Sequence, residues 1–197
     1  MDTSPRFPSR IINIRGTNGS GKTTVMKSLL RLFGSTEVRD EKGRTIAYRV
    51  HFEPGFTIVG DYDGLLGGCD TFSSMEKVSK VVEVFSREGD VLFEGILVSL
   101  LVQPWVKLAS SLPQAEFIFA TLNTPLEKCL ERRKKRWRQE GHKGNFDPNH
   151  MIEKFYAVRD AHKRLHAAGL DTRWLDYRYT TQEVVNWLLE GRFAKEK

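Results

Sequence analysis

The sequence contains few cysteines and no long apolar run. Cys69 and Cys129 are its only cysteines in 197 residues, which is too few for a disulfide framework, so we expect free thiols in a reducing compartment. No stretch is apolar enough over a sufficient length to span a bilayer, and residues 1–9 lack the apolar segment of a signal peptide. These absences predict a cytoplasmic protein without a membrane partner.

Internal repeats and low-complexity segments are also absent. The chain is 40% hydrophobic and 28% charged, an ordinary composition for a soluble domain of this size. We therefore predict one domain over residues 1–197 with a sizeable core. The net charge of +6 favours a polyanionic partner only weakly, because nucleotide enzymes are often mildly basic.

The strongest signal is a glycine-rich segment of the form G-x-x-x-x-G-K-S/T, from Gly16 to Thr23. Apolar residues over 10–15 predict a strand before it, and apolar residues at helical spacing predict a helix after it that Gly34 ends. Such a strand–loop–helix unit binds phosphate through backbone N–H groups and the helix dipole. We expect Lys22 to reach the β and γ phosphates and Thr23 to ligate Mg²⁺. The predicted nucleotide-binding residues are Gly16, Thr17, Asn18, Gly19, Ser20, Gly21, Lys22, Thr23 and Thr24.

Predicted strands and helices alternate along the rest of the chain. Residues 36–60 predict three short strands with turns between them, and thus a small β-meander inserted after the first helix. The alternation predicts an α/β fold, a P-loop NTPase three-layer sandwich with a parallel sheet. The later predicted strands are 91–95, 115–122 and 173–176, and the later predicted helices are 73–88, 96–112, 124–141, 149–168 and a segment beginning near 180.

Carboxylates occur at two places where such folds bind ligands. The loop over 61–71 combines glycines, which allow close approach to a ligand, with aspartates that could bind Mg²⁺ or accept a proton. Asp63 and Asp70 are the candidates for the general base, with Asp61 as a fallback, although Asp70 could instead cap the next helix. Glu94 ends a buried strand at the ligand-binding edge of the sheet.

An arginine-rich segment lies in the position of a kinase lid, over about residues 130–150. Threonine, proline and glutamate at 124, 125 and 127 predict a capping box that opens the helix. Arg132 and Arg136 are four residues apart and share one helix face, so we expect them to clamp the transferred phosphoryl group, with Arg133 a third candidate on the nucleotide. The alternative is a solvated, charged helix face.

A P-loop alone does not distinguish a kinase from a motor or a switch. The chain is too short for the second domain of a motor, and it lacks the Asn-Lys-x-Asp motif expected of a GTPase switch. A kinase is therefore the favoured class.

The order of these motifs resembles the nucleoside and nucleotide kinase superfamily across nearly the whole chain. A narrower resemblance is to phage-encoded P-loop kinases of DNA hypermodification, in which Gly-x-Tyr-Asp precedes Gly-Gly-Cys-Asp-Thr and a strand ends in Phe-Glu-Gly. This sequence has those segments at 60–63, 67–71 and 93–95. The Asp-Arg-x or Glu-Arg-Ser motif of deoxynucleoside and deoxynucleotide kinases does not follow Glu94, which counts against those enzymes.

The resemblance implies phosphoryl transfer from ATP, with Mg²⁺, to the hydroxymethyl group of 5-hydroxymethyluracil in DNA, in the cytoplasm of an infected host. Under this interpretation Lys22 holds phosphates, and Thr23 binds Mg²⁺ with Glu94 ordering its water shell or approaching the acceptor. Asp70 or Asp63 would orient and deprotonate the acceptor hydroxyl. The basic residues of helix 124–141, continued by Lys143, Lys154, Arg159, Lys163 and Arg164, would lie along DNA.

Two other functions remain open from the sequence. One is a kinase for free nucleosides or nucleotides, and the other is a DNA-binding ATPase without a phosphorylated product. A base in duplex DNA would have to be flipped out of the stack. Phe72, Trp105 and Phe146 are candidates for stacking on it, although the hydrophobic core is the favoured place for each of them.

Overall fold

The protein is described by a computed structural model over residues 9–52, 55–64, 67–141 and 145–189. Within these ranges the chain alternates strands and helices, as the sequence predicts. The strands are β1 (Arg10–Arg15), β2 (Ser35–Arg39), β3 (Thr45–Val50), β4 (Phe56–Val59), β5 (Asp90–Glu94), β6 (Glu116–Leu122) and β7 (Asp171–Leu175). The α-helices are α1 (Lys22–Phe33), α2 (Met75–Ser86), α3 (Ile96–Leu100), α4 (Gln103–Ser111), α5 (Leu126–Gln139), α6 (Asn149–Ala167) and α7 (Thr180–Leu189), with a 3₁₀ turn at Cys69–Thr71.

One seven-stranded sheet organises the described chain, in the order β2-β3-β4-β5-β1-β6-β7. Strands β4, β5, β1, β6 and β7 are parallel, which confirms the predicted α/β fold class. The predicted meander is present as β2-β3-β4, with antiparallel pairing. It forms one edge of the main sheet because β4 pairs in parallel with β5.

Two hydrophobic cores cover the two faces of the sheet. Strand β1 contributes to both, because successive side chains of a strand point to opposite faces. Ile11 packs with residues of α2, α4 and α6, whereas Ile12 and Ile14 pack with the buried stripe of α1 and with α7. The P-loop leaves the carboxyl end of this central strand, between helices on both faces.

The segment over 96–112, predicted to be mostly helical, is interrupted after Leu100. The chain forms two helices, α3 and α4, because Pro104 stands in the first turn of α4 and proline cannot continue the hydrogen bonding of a preceding helix. The predicted helix over 73–88 is shorter, and Ser74 caps it by accepting a hydrogen bond from the backbone N–H of Lys77.

The predicted capping box at the start of α5 is also wrong. Pro125 occupies the N-cap position and no side-chain cap is formed. Thr124 Oγ1 instead donates a hydrogen bond of 2.8 Å to the backbone oxygen of Ser20, so the threonine attaches the start of α5 to the P-loop.

None of the helices in the described ranges combines the length and the apolar character needed to cross a membrane. Cys69 and Cys129 are both buried free thiols. Burial raises the pKa of the Cys129 thiol to about 11, so it remains protonated at neutral pH.

Candidate active site

The P-loop connects β1 to α1, and the first turn of α1 is open to a ligand. Helix geometry leaves the N–H groups of a first turn without intrahelical partners. Gly21 is the N-cap residue and provides no side-chain cap, and the first turn contains no acidic residue. The positive end of this helix is therefore available to an anion such as a phosphate group.

Lys22, Thr23 and Glu94 meet where this turn faces the end of β5. Thr23 Oγ1 donates a 2.8 Å hydrogen bond to Glu94 Oε1, and Lys22 Nζ lies 4.0 Å from Glu94 Oε2. Lys22 Nζ also donates to the backbone oxygen of Thr17, at 3.2 Å. The three groups thus form one compact polar cluster.

Burial controls the protonation of this cluster. Glu94 is 1% exposed and Lys22 is 6% exposed. Burial raises the pKa of the Glu94 carboxyl, and the ammonium of Lys22 opposes that rise. Burial lowers the pKa of Lys22, against the attraction of Glu94. Each charge therefore supports the charged form of the other, so that losing one would leave an unpaired buried charge.

A glycine pair, Gly67 and Gly68, packs directly on this cluster. A Cβ atom on Gly68, whose φ is +68°, would lie 2.5 Å from the backbone oxygen of Glu94 and 2.6 Å from its Oε1. A Cβ on Gly67 would lie 2.8 Å from Thr23 Cγ2. Only glycine lets the loop approach this closely. A side chain at either position would clash with Glu94 or Thr23.

The structure separates the two candidate bases. Asp70 lines the same cleft as Lys22 and Glu94, whereas Asp63 is exposed and its backbone N–H donates to Asp61 Oδ1 at 2.9 Å in a local turn. Neither Asp61 nor Asp63 is among the described residues that line the cleft. The alternative role of Asp70 as the cap of α2 is wrong, because Ser74 is the N-cap of that helix. Asp70 instead accepts hydrogen bonds from the first two backbone N–H groups of α3.

The candidate arginines of α5 also differ in whether they line the cleft. Arg132 and Arg136 line the cleft, and Arg132 Nη1 donates to the backbone oxygens of Gly19 at 3.2 Å and Ser20 at 3.3 Å. Arg133 forms an ion pair of 2.9 Å with Glu140 and does not line this cleft. The described part of the predicted lid region therefore presents two arginines to the phosphate site.

Residues at the start of α7 were missed by the sequence reasoning. The cleft has a volume of about 910 Å³, and beyond the P-loop it extends along the β7–α7 connection. The guanidinium of Arg132 lies 5.8 Å from the ring centroid of Tyr177. The signal available in the sequence was a pair of tyrosines directly after the last strand. The lining residues from this region are Tyr177, Arg178, Tyr179, Thr180, Thr181, Gln182 and Val185.

The three candidates for base stacking lie elsewhere. Trp105 is fully buried and its Nε1 donates to the backbone oxygen of Val98 at 3.0 Å, so it is a core residue. Phe72 is half-buried against the same core. Phe146 packs on Trp137 with 6.2 Å between ring centroids.

The chemistry of the cluster fits Mg²⁺. Thr23 offers a hydroxyl oxygen and Glu94 a carboxylate oxygen, both ligands that this hard cation prefers. Across the described ranges there is no group of three or more His, Cys, Asp or Glu side chains placed to hold a metal. A magnesium ion here would therefore depend on the nucleotide's phosphate oxygens and on water, as is usual for Mg²⁺ at phosphate sites.

The fold and the cleft together define a P-loop kinase, in which a phosphate loop, a buried lysine and a strand-end carboxylate face two arginines. The profile of a family described as 5-hmdU DNA kinase matches residues 3–172. The chain belongs to this family, and the resemblance drawn from the sequence motifs is confirmed.

Relatives in phages carry the same description. The 5-hmdU DNA kinase of Pseudomonas phage PaMx11 is 35% identical over 168 residues, which cover 82% of this chain and 87% of that protein. The 5-hmdU DNA kinase of Pseudomonas phage M6 is 35% identical over 135 residues, covering 62% and 70%. The 5-hmdU DNA kinase 1 of Salmonella phage ViI is 28% identical over 167 residues, covering 80% and 72%.

Solved structures of small-molecule kinases superpose only loosely. A gluconokinase from Sinorhizobium meliloti 1021 is 17% identical with a TM-score of 0.44, over 92% of this chain and 89% of that one. A shikimate kinase from Acinetobacter baumannii in complex with shikimate is 18% identical with a TM-score of 0.45, over 94% and 96%. At these scores the likeness adds nothing to what the sheet order shows.

Proposed function

We propose that this kinase transfers the γ-phosphoryl group of ATP, with Mg²⁺, to the hydroxymethyl oxygen of 5-hydroxymethyluracil within DNA. The observation that carries the proposal is the meeting of Lys22, Glu94 and Asp70 in one cleft of a chain that belongs to the 5-hmdU DNA kinase family. The cleft provides a donor site, a charged transfer site and a carboxylate for the acceptor.

On the donor side, the first-turn N–H groups of α1 and the ammonium of Lys22 bind the β and γ phosphates. Thr23 and Glu94 would hold Mg²⁺, which when bound neutralises charge on the phosphate oxygens. Arg132 and Arg136 line the same cleft and stabilise the charge that develops on the transferred group. Positioning and charge stabilisation account for most of the catalysis expected of such a site.

On the acceptor side, Asp70 accepts the proton of the hydroxymethyl group. A bond forms between that oxygen and the γ-phosphorus as the bond from phosphorus to the β–γ bridging oxygen breaks, and ADP leaves with the electron pair. A free hydroxyl is a weak nucleophile at neutral pH, so a carboxylate within reach of its proton contributes to the rate. Asp70 is half-buried, which leaves it accessible to a substrate.

A polymeric acceptor agrees with the basic surface of α5. Lys134 and Lys135 are exposed, on the same helix as the cleft-lining Arg132 and Arg136. Arg159, which was assigned to the same surface from the sequence, is instead half-buried, with its guanidinium 4.8 Å from the ring centroid of Trp174. Lys143 lies outside the described residues. The exposed lysines would contact the DNA backbone while the target base enters the cleft.

Transfer of radiolabel from the γ-phosphate of ATP tests the proposal. DNA containing 5-hydroxymethyluracil, the same DNA with thymine, and free 5-hydroxymethyl-deoxyuridine and its monophosphate are offered separately. We expect label only in the modified DNA. Label in the free nucleoside or nucleotide alone would assign a monomer kinase, and label only in released phosphate would assign an ATPase.

Salt dependence provides a second test of the DNA acceptor. Each phosphate contact releases counterions, so acceptor affinity should fall with a log–log slope of about −0.9 per contact on duplex DNA. Lys134→Glu should raise the acceptor KM and flatten that slope without changing the KM for ATP. The matched control is Lys107→Glu, an exposed lysine on α4, which should change neither. An acceptor KM that does not respond to salt would contradict a DNA acceptor.

A further inference from the structure

Arg15, the last residue of β1, is a fully buried arginine whose partners are carbonyl oxygens rather than a carboxylate. Its exposure is 0%, and its Nη1 donates to Asn13 Oδ1 at 2.9 Å. Its remaining hydrogen bonds go to backbone oxygens at the end of α3: Val98 at 3.1 Å, Ser99 at 2.5 Å and Leu101 at 3.2 Å. The guanidinium thus binds the C-terminus of α3, where unpaired carbonyls attract a cation.

Stability alone does not explain this burial. Taking a charge out of water is costly, and well-packed apolar residues often replace buried ionic groups without loss of stability. Burial lowers the pKa of the Arg15 guanidinium to about 9, and its Nε has no hydrogen-bond partner. The burial of Arg15 is thus unfavourable for its charge, and the residue stands directly before the first glycine of the P-loop. Arg15 is therefore a candidate for a role in the active site.

The opposite end of α3 is bound to Asp70. Asp70 Oδ2 accepts from the backbone N–H of Ile96 at 2.9 Å, and Oδ1 accepts from that of Leu97 at 3.2 Å. Helix α3 has only five residues, too short to be stable without tertiary contacts. A carboxylate at its N-terminus and a guanidinium at its C-terminus therefore fix its place.

Ser99 adds a second connection between the P-loop and α3. The backbone N–H of Gly16 donates to Ser99 Oγ at 3.2 Å, and Ser99 Oγ donates to the backbone oxygen of Gly95 at 2.6 Å. The start of the phosphate loop is thereby connected to both ends of α3. A displacement of α3 would move Asp70 relative to the bound phosphates.

We propose that Arg15 is a positioning residue which, through α3, sets the place of Asp70 relative to the phosphate loop. This inference rests on the proposed function only in naming Asp70 as the group that meets the acceptor. Its consequence is that Arg15 acts on the transfer step and leaves nucleotide binding unchanged.

The variant Arg15→Lys keeps the positive charge but lacks the planar guanidinium, whose several N–H groups donate to different carbonyl oxygens. Its matched control is Arg10→Lys, at the opposite end of the same strand, where Arg10 pairs with Asp90 at 2.6 Å. We expect Arg15→Lys to lower kcat by about 10- to 100-fold, as small misplacements of reacting groups do, with little change in the KM for ATP. Arg10→Lys should leave kcat within about twofold.

A double-mutant cycle with Asp70→Asn separates positioning from a general structural effect. If Arg15 acts through Asp70, adding Arg15→Lys to the Asp70→Asn variant should lower kcat by less than about twofold. The reason is that the effects of substitutions at interacting residues are not additive. An equal loss in both backgrounds, or a rise in the KM for ATP, would overturn the proposal. Should Arg15→Lys fail to fold, Arg15→Gln replaces it, because its amide can still donate to one of the carbonyl oxygens, and its loss of kcat should show the same dependence on Asp70.

Hydrogen exchange provides a readout that does not depend on the acceptor. The Ile96 and Leu97 amides, bound to Asp70, should exchange faster in Arg15→Lys than in Arg10→Lys. Unchanged exchange at both amides would reject the role of Arg15 even if the wild-type kinase is active. Faster exchange in a protein that phosphorylates no DNA would instead leave Arg15 positioning α3 and reject the proposed function.

Discussion

Thr23 and Glu94 are joined by a 2.8 Å hydrogen bond, from a hydroxyl in the first turn of α1 to a carboxylate at the end of β5. The two residues are 71 positions apart in the chain. The strand β1 leads into the P-loop and Thr23, and β5 ends in Glu94. Because β1 and β5 are adjacent and parallel, both residues come to the same edge of the sheet. The phosphate loop and the strand-end glutamate therefore form one site.

Glu94→Gln should lower turnover by about 10²-fold or more, the loss typical of removing a charge-stabilising group from a transfer site. Glutamine can still accept the hydrogen bond from Thr23, so the loss would report the missing charge beside Mg²⁺. Turnover should be measured against Mg²⁺ concentration, with the exposed Glu88→Gln as control. An unchanged Mg²⁺ dependence would remove Glu94 from the metal site.

Lys22→Ala should abolish detectable phosphoryl transfer. The ammonium is the charge expected to reach the β and γ phosphates, and its removal also leaves the buried carboxylate of Glu94 unpaired. The fold should persist, because the loop is held by backbone contacts and by Arg132 and Thr124. Circular dichroism provides the folding control, and near-normal turnover in a folded variant would contradict the kinase mechanism.

Asp70→Asn and Asp63→Asn should differ sharply. The first removes a carboxylate from the cleft and should lower kcat by about 10²–10⁴-fold, the range of acid–base groups. The second changes an exposed residue of the neighbouring turn and should leave kcat almost unchanged. Steady-state kinetics with both substrates varied provide the measurement. Normal turnover in Asp70→Asn would direct the search for the base to Glu94 or Asp61.

Gly68→Ala should damage the fold and the site together. The new methyl group would overlap with Glu94, and the alanine backbone would be strained at a φ of +68°. We therefore expect a loss of about 2–4 kcal/mol in the free energy of unfolding. The control is Gly43→Ala, where φ is +75° and the space is open within 4 Å. It should lose only about 1 kcal/mol and keep full activity. Urea unfolding of both variants tests this difference.

His162 should make stability depend on pH. Its Nδ1 lies 2.9 Å from Thr121 Oγ1, and burial lowers its pKa from 6.5 to about 4. Between these values the unfolded chain binds the proton more readily, so stability is full above pH 6.5 and falls as the pH is lowered towards 4. Between pH 7 and pH 5, the free energy of unfolding of the wild type should fall by up to about 2 kcal/mol more than that of His162→Gln. If urea unfolding gave the same dependence of the unfolding free energy on pH for both proteins, this assignment would be contradicted.

Local sequence was enough to identify the elements that depend on local chemistry. The P-loop and the alternation of strands and helices follow from glycine spacing and apolar periodicity. The kinase class follows from the arginine-rich segment and from the missing Asn-Lys-x-Asp motif of a GTPase switch. The same patterns do not report which distant residues meet. Thr124, expected to cap α5, instead donates its hydroxyl hydrogen bond to Ser20 of the P-loop. The mostly helical segment predicted over 96–112 is interrupted at Leu101 and Val102, just before the turn of α4 that contains Pro104.

The sequence by itself determined that this chain binds a phosphate-bearing nucleotide, because the P-loop forms its site from consecutive backbone groups. Only the tertiary structure decided which of the candidate aspartates faces that site. Asp63 and Asp70 lie in one loop and are equivalent as sequence signals, but only Asp70 reaches α3 and the cleft. Arg15 likewise appears in the sequence only as one of three polar residues of β1. Its partners are set by how α3 packs against the sheet, a long-range contact that no local pattern encodes.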